Sequence, residues 1–501
     1  MPEAPLTRRS QAKFVSFCLS TLAILFLTSS LPVCAASVDT LQENASEILL
    51  RPEIKAGPKF TLEASVNAAL KNYPTVVETE SKAKATSAEV TLVKTTYLPR
   101  IDIFLQELRG SVNNTIGVLF PPLSIPQITG VLDAPRSFKS YWHSNASAFL
   151  SWEIYDFGLR HHQVMEARTS VKRADAAIVL TKFQVACRAA DAFFALVAAE
   201  EEVRAQQAAL ERMKVFAMTV HQQVKADLKP GVDASRVDAE LAIAEDNLIS
   251  AEQAREIRRA TLAERMGMAG AYVETIHGPL LTVPTLPATV VKVQPFEYHP
   301  LALHQDAEVK TLHARYQVIQ HEWRPHIFFE SGIFGRGSGA QVNRSVASLG
   351  YLPNVPNWAV GVKAQMHLMD YFSVRAQKDI VANREQAERA KYAEIMQILK
   401  GDDARAKAMI DGATRLAANA PKFLKAAQDT ELRARTRYGV GLANINDVAL
   451  AEKLLIQAQV TNELAGLAVW RSYLAAAEAR GDLTPLLKLS SGLPPNAGGQ
   501  K

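Results

Sequence analysis

The chain has 501 residues, of which 48% are hydrophobic and 21% are charged, and this balance excludes an intrinsically disordered protein. The formal net charge of +5 is small for this length and is spread along the chain, so it gives no argument for a nucleic-acid partner.

The first 36 residues have the pattern of a secretory signal peptide. A basic head precedes the apolar segment 14–27, and small residues follow it. About fourteen apolar residues are too few to span a bilayer comfortably, so we assign 1–36 to a cleaved signal peptide rather than a retained anchor. Val33 stands where a lipoprotein signal has a small residue, and this disfavours lipidation of Cys34. Whether Cys34 is lipidated stays open. No later segment has eighteen uninterrupted apolar residues, so we expect no membrane-spanning helix.

The rest of the chain contains one series of features twice. Each series has a helix start, two prolines 25 residues apart, a glycine-rich region, an alternating segment, a long helical pattern and a glycine break. Corresponding features are offset by 210 to 226 residues, which indicates an internal duplication. We therefore expect an N-terminal extension (37–58) and a first repeat (59–270). An extended proline-rich linker (271–296) joins it to a second repeat (297–484), and a disordered tail follows (485–501).

Two segments alternate with a period of two and predict long strands. Apolar side chains, Trp358 among them, alternate with small or polar ones over 358–368, and 147–155 does the same around Trp152, with Phe149 as the exception. Eleven residues match a tilted membrane-spanning strand, whereas strands in soluble sandwiches usually have about five or six.

Segments 99–109 and 325–335 are weaker candidates for the hairpin partners, which gives four strands per chain. Four strands cannot close a barrel, and an open sheet edge in lipid leaves backbone groups without hydrogen bonds. If these strands lie in a membrane, the chain must oligomerise, and three copies would give twelve strands.

The helical patterns are too long for a globular domain. From Gly158 to Leu228 about seventy residues lack proline, which allows a helix of roughly 100 Å. Apolar residues at coiled-coil spacing follow in each half: Val237, Leu241, Ala244, Leu248 and Ala251, then Val460, Leu464, Leu467 and Leu474, with Arg471 interrupting the second row.

Together these features resemble the TolC-like outer-membrane factor (outer membrane efflux protein) family, the exit ducts of tripartite efflux pumps and type I secretion systems. The resemblance covers about residues 60–484 and rests on the Asn-Tyr-Pro and His-Pro starts, the Asp-Phe-Gly-x-Arg at 156–160 and the Val-Gly-Leu at 440–442. It implies a mainly α protein: a trimeric α-helical coiled-coil barrel joined to a twelve-stranded outer-membrane β-barrel. It also implies outer-membrane location with a periplasmic tunnel, lipid contact, a periplasmic adaptor and an inner-membrane transporter.

By this resemblance the chain leaves the membrane where each alternating segment ends. Asp156 can cap the new helix, Gly158 permits a tight bend, and Arg160 is expected in the aqueous zone. Asp370 and Arg375 occupy the second junction, where a serine replaces the glycine. The resemblance places Trp152 and Trp358 on the lipid-facing surface.

The helix tips would form the periplasmic entrance. Gly231 and Gly441 are expected to let the chain reverse between paired helices. The expected adaptor contacts are the two tips, made of Pro230, Gly231 and Val232 in the first half and Val440, Gly441 and Leu442 in the second.

Tyr438, Asp447 and Asp238 are the expected gate residues, since tip carboxylates in this family can narrow the pore. Asp447 and Asp238 fit equally well as ordinary acids near helix N-termini. Some members have an arginine and a second aspartate where this chain has Ala443 and Leu450, so closure of the tip at rest stays open.

No catalytic or metal-binding constellation is present in the sequence. The glycines of 332–339 are not followed by the Gly-Lys-Ser/Thr of a phosphate loop, and the adjacent His161 and His162 point to different helix faces. We therefore expect no enzyme, cofactor or metal. Two functions remain: a passive outer-membrane duct, and a periplasmic coiled-coil scaffold. The long apolar strand faces favour the duct, and neither its cargo (drug, metal or protein) nor its pump is indicated.

Overall fold

The computed structural model describes residues 57–111, 140–284, 295–339 and 350–490. The expected signal peptide, Cys34 and nearly all of the N-terminal extension lie outside these ranges, as do the tips of both strand hairpins.

The first half contains two short helices, a strand pair and a pair of long helices. In chain order the elements are β1 (Lys59–Phe60), α1 (Leu62–Asn72), α2 (Pro74–Lys94), β2 (Arg100–Ser111), β3 (Ser140–Tyr155), α3 (Leu159–Lys225) and α4 (Gly231–Arg265).

The second half has the same order of main elements. They are β4 (Glu274–Thr275), α5 (Pro300–His321), β5 (His326–Ser338), β6 (Val355–Gln365), α6 (Asp370–Gly439), α7 (Ile445–Arg480) and α8 (Thr484–Ser490).

Helices α3 and α6 have 67 and 70 residues, which corresponds to roughly 100 Å each. This confirms the long helix expected from the unbroken pattern after Gly158. Helix α6 continues through Pro421, although proline removes one backbone hydrogen bond and disfavours a helix interior.

Each long helix pairs with the helix that follows it. The row predicted on α4 is confirmed: Val237, Ala244 and Ala251 are buried. Val237 and Ala244 pack in one cluster with Met213 and Phe216 of α3. Because small and medium side chains fill this seam, the two helices approach closely.

The four long strands form one antiparallel sheet in the order β2-β3-β5-β6. One face carries exposed apolar side chains, including Ile103 (73% exposed), Leu105 (81%) and Trp358 (77%). Trp358 pairs with Ile333, and Trp152 pairs with Phe329, so both tryptophans lie on this face, as the alternation predicted.

The strand limits differ from the sequence expectation. Strand β6 ends at Gln365 rather than at 368, because the chain already turns there: the amide of Asp370 donates to the carbonyl of His367. Strand β3 begins at Ser140, earlier than the expected 147. Phe149, the exception to the alternation, is buried on the opposite face between the rings of Phe104 and Phe334, at 6.0 and 6.3 Å.

The described part of the inter-repeat segment is packed rather than extended, which corrects the expected linker. Its strand β4 pairs with β1 in parallel, and Leu280 is buried in the main core. His277 lies between two carboxylates of α3, with Nε2 2.6 Å from Glu200 and Nδ1 2.9 Å from Glu201. Because both ring nitrogens contact carboxylates, the pKa of His277 is raised to about 9.

The main core lies where α1, α3, α7 and α8 meet, around Phe193 and Phe194. Helix α8 contributes the buried Leu486. The expected disordered tail from 485 is therefore wrong for its first residues, which are helical, and 491–501 lie outside the described ranges. Among the helices described, none is both long and apolar enough to cross a membrane.

Candidate functional site

The first strand-to-helix junction is closed by a buried ion pair. The carboxylate of Asp156 accepts hydrogen bonds from the backbone N–H of Gly158 (3.0 Å) and of Arg160 (2.7 Å), so it does cap α3. Burial alone would raise the pKa of Asp156, but its hydrogen bonds from Arg160 and Gly158 outweigh this and lower it. Phe157 (φ +52°) and Gly158 (φ +98°) make the bend.

The side chain of Arg160 is buried in the protein, and the expected location of this junction in the aqueous zone stays a prediction. Arg160 is 5% exposed; its Nε donates to Asp156 at 2.7 Å and its Nη1 to the carbonyl of Thr96 at 3.2 Å. Its guanidinium lies over the ring of Tyr97, 4.7 Å from the centroid. A buried guanidinium needs these partners, and the sequence alone did not place Thr96 and Tyr97 beside it.

The second junction is built differently. Helix α6 begins at Asp370 itself, and both Asp370 and Arg375 are exposed. In the described chain, the nearest charged contact of Asp370 is His367 at 3.9 Å. The two junctions therefore occupy matching chain positions but only the first has a buried pair.

The two helix tips reverse at matching positions. The left-handed residues are Asp227 (φ +57°) after α3 and Gly441 (φ +76°) after α6. In each turn the next amide reaches back to an earlier carbonyl: Leu228 to Gln223 at 2.9 Å and Leu442 to Arg437 at 2.8 Å. Gly441 thus serves as expected.

Gly231 does not serve in this way, so that expectation is wrong. It is the first residue of α4 and does not have a positive φ. Pairing Gly231 with Gly441 gives an offset of 210 residues between the tips. The left-handed residues of the two turns, Asp227 and Gly441, are instead 214 residues apart. Asp156 and Asp370 at the two junctions are separated by the same 214 residues. By this register the counterpart of Asp447 is Asp233.

Tyr438 joins the two tips. It is 3% exposed, and its hydroxyl donates to Oδ2 of Asp233 at 2.7 Å. Lys229 donates from Nζ to the carbonyl of Tyr438 at 2.9 Å and lies 4.3 Å from its ring centroid. Phe216 of α3 packs on the other side, with ring centroids 5.7 Å apart. Burial and then the carboxylate of Asp233 raise the pKa of Tyr438, so its hydroxyl keeps its proton.

The other two expected gate residues lie apart from this contact. Asp447 is exposed and forms a capping box with Asn444 at the start of α7. Asp238 faces His221 on α3, with Nε2 to Oδ1 at 2.7 Å. Sequence reasoning missed Lys229 and Asp233; counting both turns from the same junction would have identified Asp233 as the counterpart of Asp447, but not its contact with Tyr438.

The ends of the tips expose large apolar side chains. Val232, Val440 and Leu442 are 72%, 67% and 69% exposed, and Leu228 is 72% exposed. Pro230 and Gly231 are exposed beside them. We call these four exposed apolar side chains, two on each tip, the tip crown.

Within the described residues no group of three histidine, cysteine or acidic side chains could hold a metal ion. What the sheet, junctions and tips offer is a set of packing and hydrogen-bonding surfaces.

Residues 65–268 match the model of the family described as "Outer membrane efflux protein". The fold is similar to that of CusC, with a TM-score of 0.70 at 15% identity over 87% of this chain and 95% of that chain. It is also similar to that of the outer membrane protein VceC of Vibrio cholerae, with a TM-score of 0.68 at 15% identity over 84% of this chain and 96% of that chain. For the Campylobacter jejuni CmeC outer membrane channel the TM-score is 0.65 at 14% identity, over 86% of this chain and 90% of that chain.

A search of curated protein sequences gave no significant match. The family model and the fold nevertheless agree and confirm the resemblance drawn from the motifs. Residues 65–268 thus match the outer membrane efflux protein family in sequence, and the chain shares the fold of these solved channel structures over most of its length.

Proposed function

We propose that the protein is the outer-membrane channel of a tripartite efflux or type I secretion system. It is a passive exit duct, located in the outer membrane with its long helices in the periplasm, and it works with a periplasmic adaptor and an inner-membrane pump.

One observation carries this proposal: a sheet with one exposed apolar face continues directly into helices of 67 and 70 residues. Such a face is stable against lipid but would aggregate in water. The opposite face carries charged side chains, including Lys363, which contacts Glu330 at 2.8 Å. A polar face turned away from lipid suits a water-filled interior.

The sheet edges support assembly with further copies of the chain, and the family resemblance supports three copies. Among the described strands, β2 pairs only with β3 and β6 only with β5. Unpaired backbone groups in hydrocarbon cost several kcal/mol each, so each edge requires another copy. Three copies of four strands close a twelve-stranded barrel, and the repeated element order of the two halves fits an internal duplication.

At the far end, Tyr438, Lys229 and Asp233 act as a latch that holds the two tips of one protomer together. The tip crown is the surface for the adaptor, since its apolar side chains are exposed at the ends of both hairpins. The family's alternative, a charged ring at Asp447 and Asp238, has weaker support because these carboxylates are engaged in a capping box and with His221.

The test is extraction of the protein from outer membranes with detergent, followed by negative-stain electron microscopy. We expect three-fold rods of roughly 130–150 Å, from about 100 Å of helix and about 30–40 Å of barrel. A monomeric particle recovered from the soluble periplasmic fraction would contradict the duct and leave the coiled-coil scaffold.

A further inference from the structure

An arginine interrupts the apolar row of α7. Val460, Leu464, Leu467 and Leu474 keep the coiled-coil spacing, and Arg471 occupies the position between the last two. Its Nη2 donates to Oδ1 of Asp191 on α3 at 2.8 Å, and its side chain is 48% exposed. A charged side chain gives up apolar packing at such a position, so Arg471 calls for a separate explanation.

Arg471 lies at a groove of about 680 Å³ that is lined by residues of α3, α4, α6 and α7. Three further arginines line this groove, which we call the arginine groove: Arg188, Arg258 and Arg265. The buried residues of its lining are neutral and small or apolar: Cys187, Ala192, Ser472 and Leu474.

The charges of the arginine groove do not cancel. Its acids are Asp191, which Arg471 engages, and Glu478. Burial and then the nearby Asp191 raise the pKa of Glu478. Within the described ranges, Arg188 and Arg258 have no hydrogen-bond or ion-pair partner in the chain, and Arg265 has only Glu264 at 3.7 Å.

We propose that the arginine groove binds a small organic anion, with its carboxylate or phosphate group held by Arg188 and Arg258 and its apolar part on the neutral floor. The planar guanidinium fork matches the oxygens of both groups and holds them with paired hydrogen bonds. Pockets for small ligands combine an apolar lining with a few polar groups that fix orientation, which describes this groove. The site is separate from the latch and the tip crown and does not depend on the channel proposal.

The experiment is isothermal titration calorimetry of the full protein in neutral detergent with phenyl phosphate as the probe. The double variant Arg188→Ala/Arg258→Ala should weaken binding at least tenfold. The matched control, Arg168→Ala/Arg384→Ala, removes two exposed arginines that do not line the groove and should stay within twofold. The variant Arg188→Lys/Arg258→Lys keeps the charge and should retain part of the affinity.

Two competitors separate the parts of the proposal. Inorganic phosphate should compete weakly, because it lacks the apolar part, and phenol should not compete, because it lacks the anion. Equal binding by the groove variant and the natural protein would overturn the site. An equal loss of affinity in the control variant would overturn the placement of the anionic group at Arg188 and Arg258. Equal affinity for inorganic phosphate and phenyl phosphate would overturn the placement of the apolar part on the neutral floor.

Discussion

Tyr438 of α6 donates its hydroxyl to Asp233 of α4 across 2.7 Å, and this hydrogen bond connects the two helical hairpins at their ends, beside the one that Lys229 donates to the Tyr438 carbonyl. The two residues are 205 positions apart in the chain. Any separation of the hairpins at the tip must break this bond and withdraw the Tyr438 ring from Lys229 and Phe216.

Replacing Tyr438 by phenylalanine should therefore loosen the tip. A hydrogen bond to a charged group contributes about 1.5–3 kcal/mol, and 1.4 kcal/mol corresponds to a factor of ten. We expect the open fraction to rise roughly ten- to hundredfold, seen as a higher open probability of single channels in planar bilayers. Tyr298→Phe, at an exposed tyrosine away from the tips, is the control and should leave the open probability unchanged.

The two junctions offer a matched pair of aspartates. Asp156→Ala should destabilise the protein by about 3–5 kcal/mol, because it removes the hydrogen-bonded carboxylate of the buried Arg160 and leaves only the more distant Glu153, at 3.8 Å. Asp370→Ala should change stability by less than about 0.5 kcal/mol, because that side chain is exposed. Thermal unfolding of both variants measures this, and equal losses would show that the two junctions are energetically equivalent.

The two tip glycines should respond differently to alanine. Gly441 has φ +76°, where a Cβ costs roughly 1–2 kcal/mol, so Gly441→Ala should speed amide exchange in the first turn of α7. Gly231 lies at the start of α4 with ordinary φ and open space around it, so Gly231→Ala should leave exchange there unchanged or slower. Faster exchange in both variants would contradict the assignment of Asp227 as the first turn's left-handed residue.

The apolar face of the sheet can be tested with an arginine on each side. Trp358→Arg places a charge on the exposed apolar face, where it costs roughly 2–4 kcal/mol near the bilayer midplane. Ala359→Arg places the same charge on the opposite face. We expect only Trp358→Arg to reduce the amount recovered in the outer-membrane fraction. Equal recovery of the two would show that the face does not contact lipid.

The stability of the inter-repeat segment should depend on pH through His277. Its pKa is raised to about 9 by Glu200 and Glu201, so its contribution is fully present below about pH 6.5 and is lost as pH rises through 9. His277→Gln should lower the melting temperature most at pH 6 and progressively less toward pH 10. His304→Gln is the control, and a pH-independent difference for His277→Gln would contradict the charged imidazolium.

Much of the fold follows from local patterns. The strands are predicted because their side chains alternate, and the first long helix because proline is absent between Gly158 and Lys225, whereas the second continues through Pro421. The Tyr438 contact could not be predicted, since Lys229 and Asp233 reach it only after both hairpins have formed. The first turn was misassigned because Asp227 takes a left-handed conformation without being glycine, whereas the nearby Gly231 suggested the turn.

Both halves use the same chain length between junction and turn: 71 residues separate Asp156 from Asp227, and Asp370 from Gly441. Each residue of helix adds about 1.5 Å and 100° of rotation. An insertion in α3 alone would therefore carry Lys229 away from Tyr438 and turn the seam of α4 outward. Insertions or deletions in the long helices are therefore tolerated only when both halves change by the same number of residues, close to a multiple of seven. Relatives with longer or shorter ducts should differ from this chain by such paired insertions.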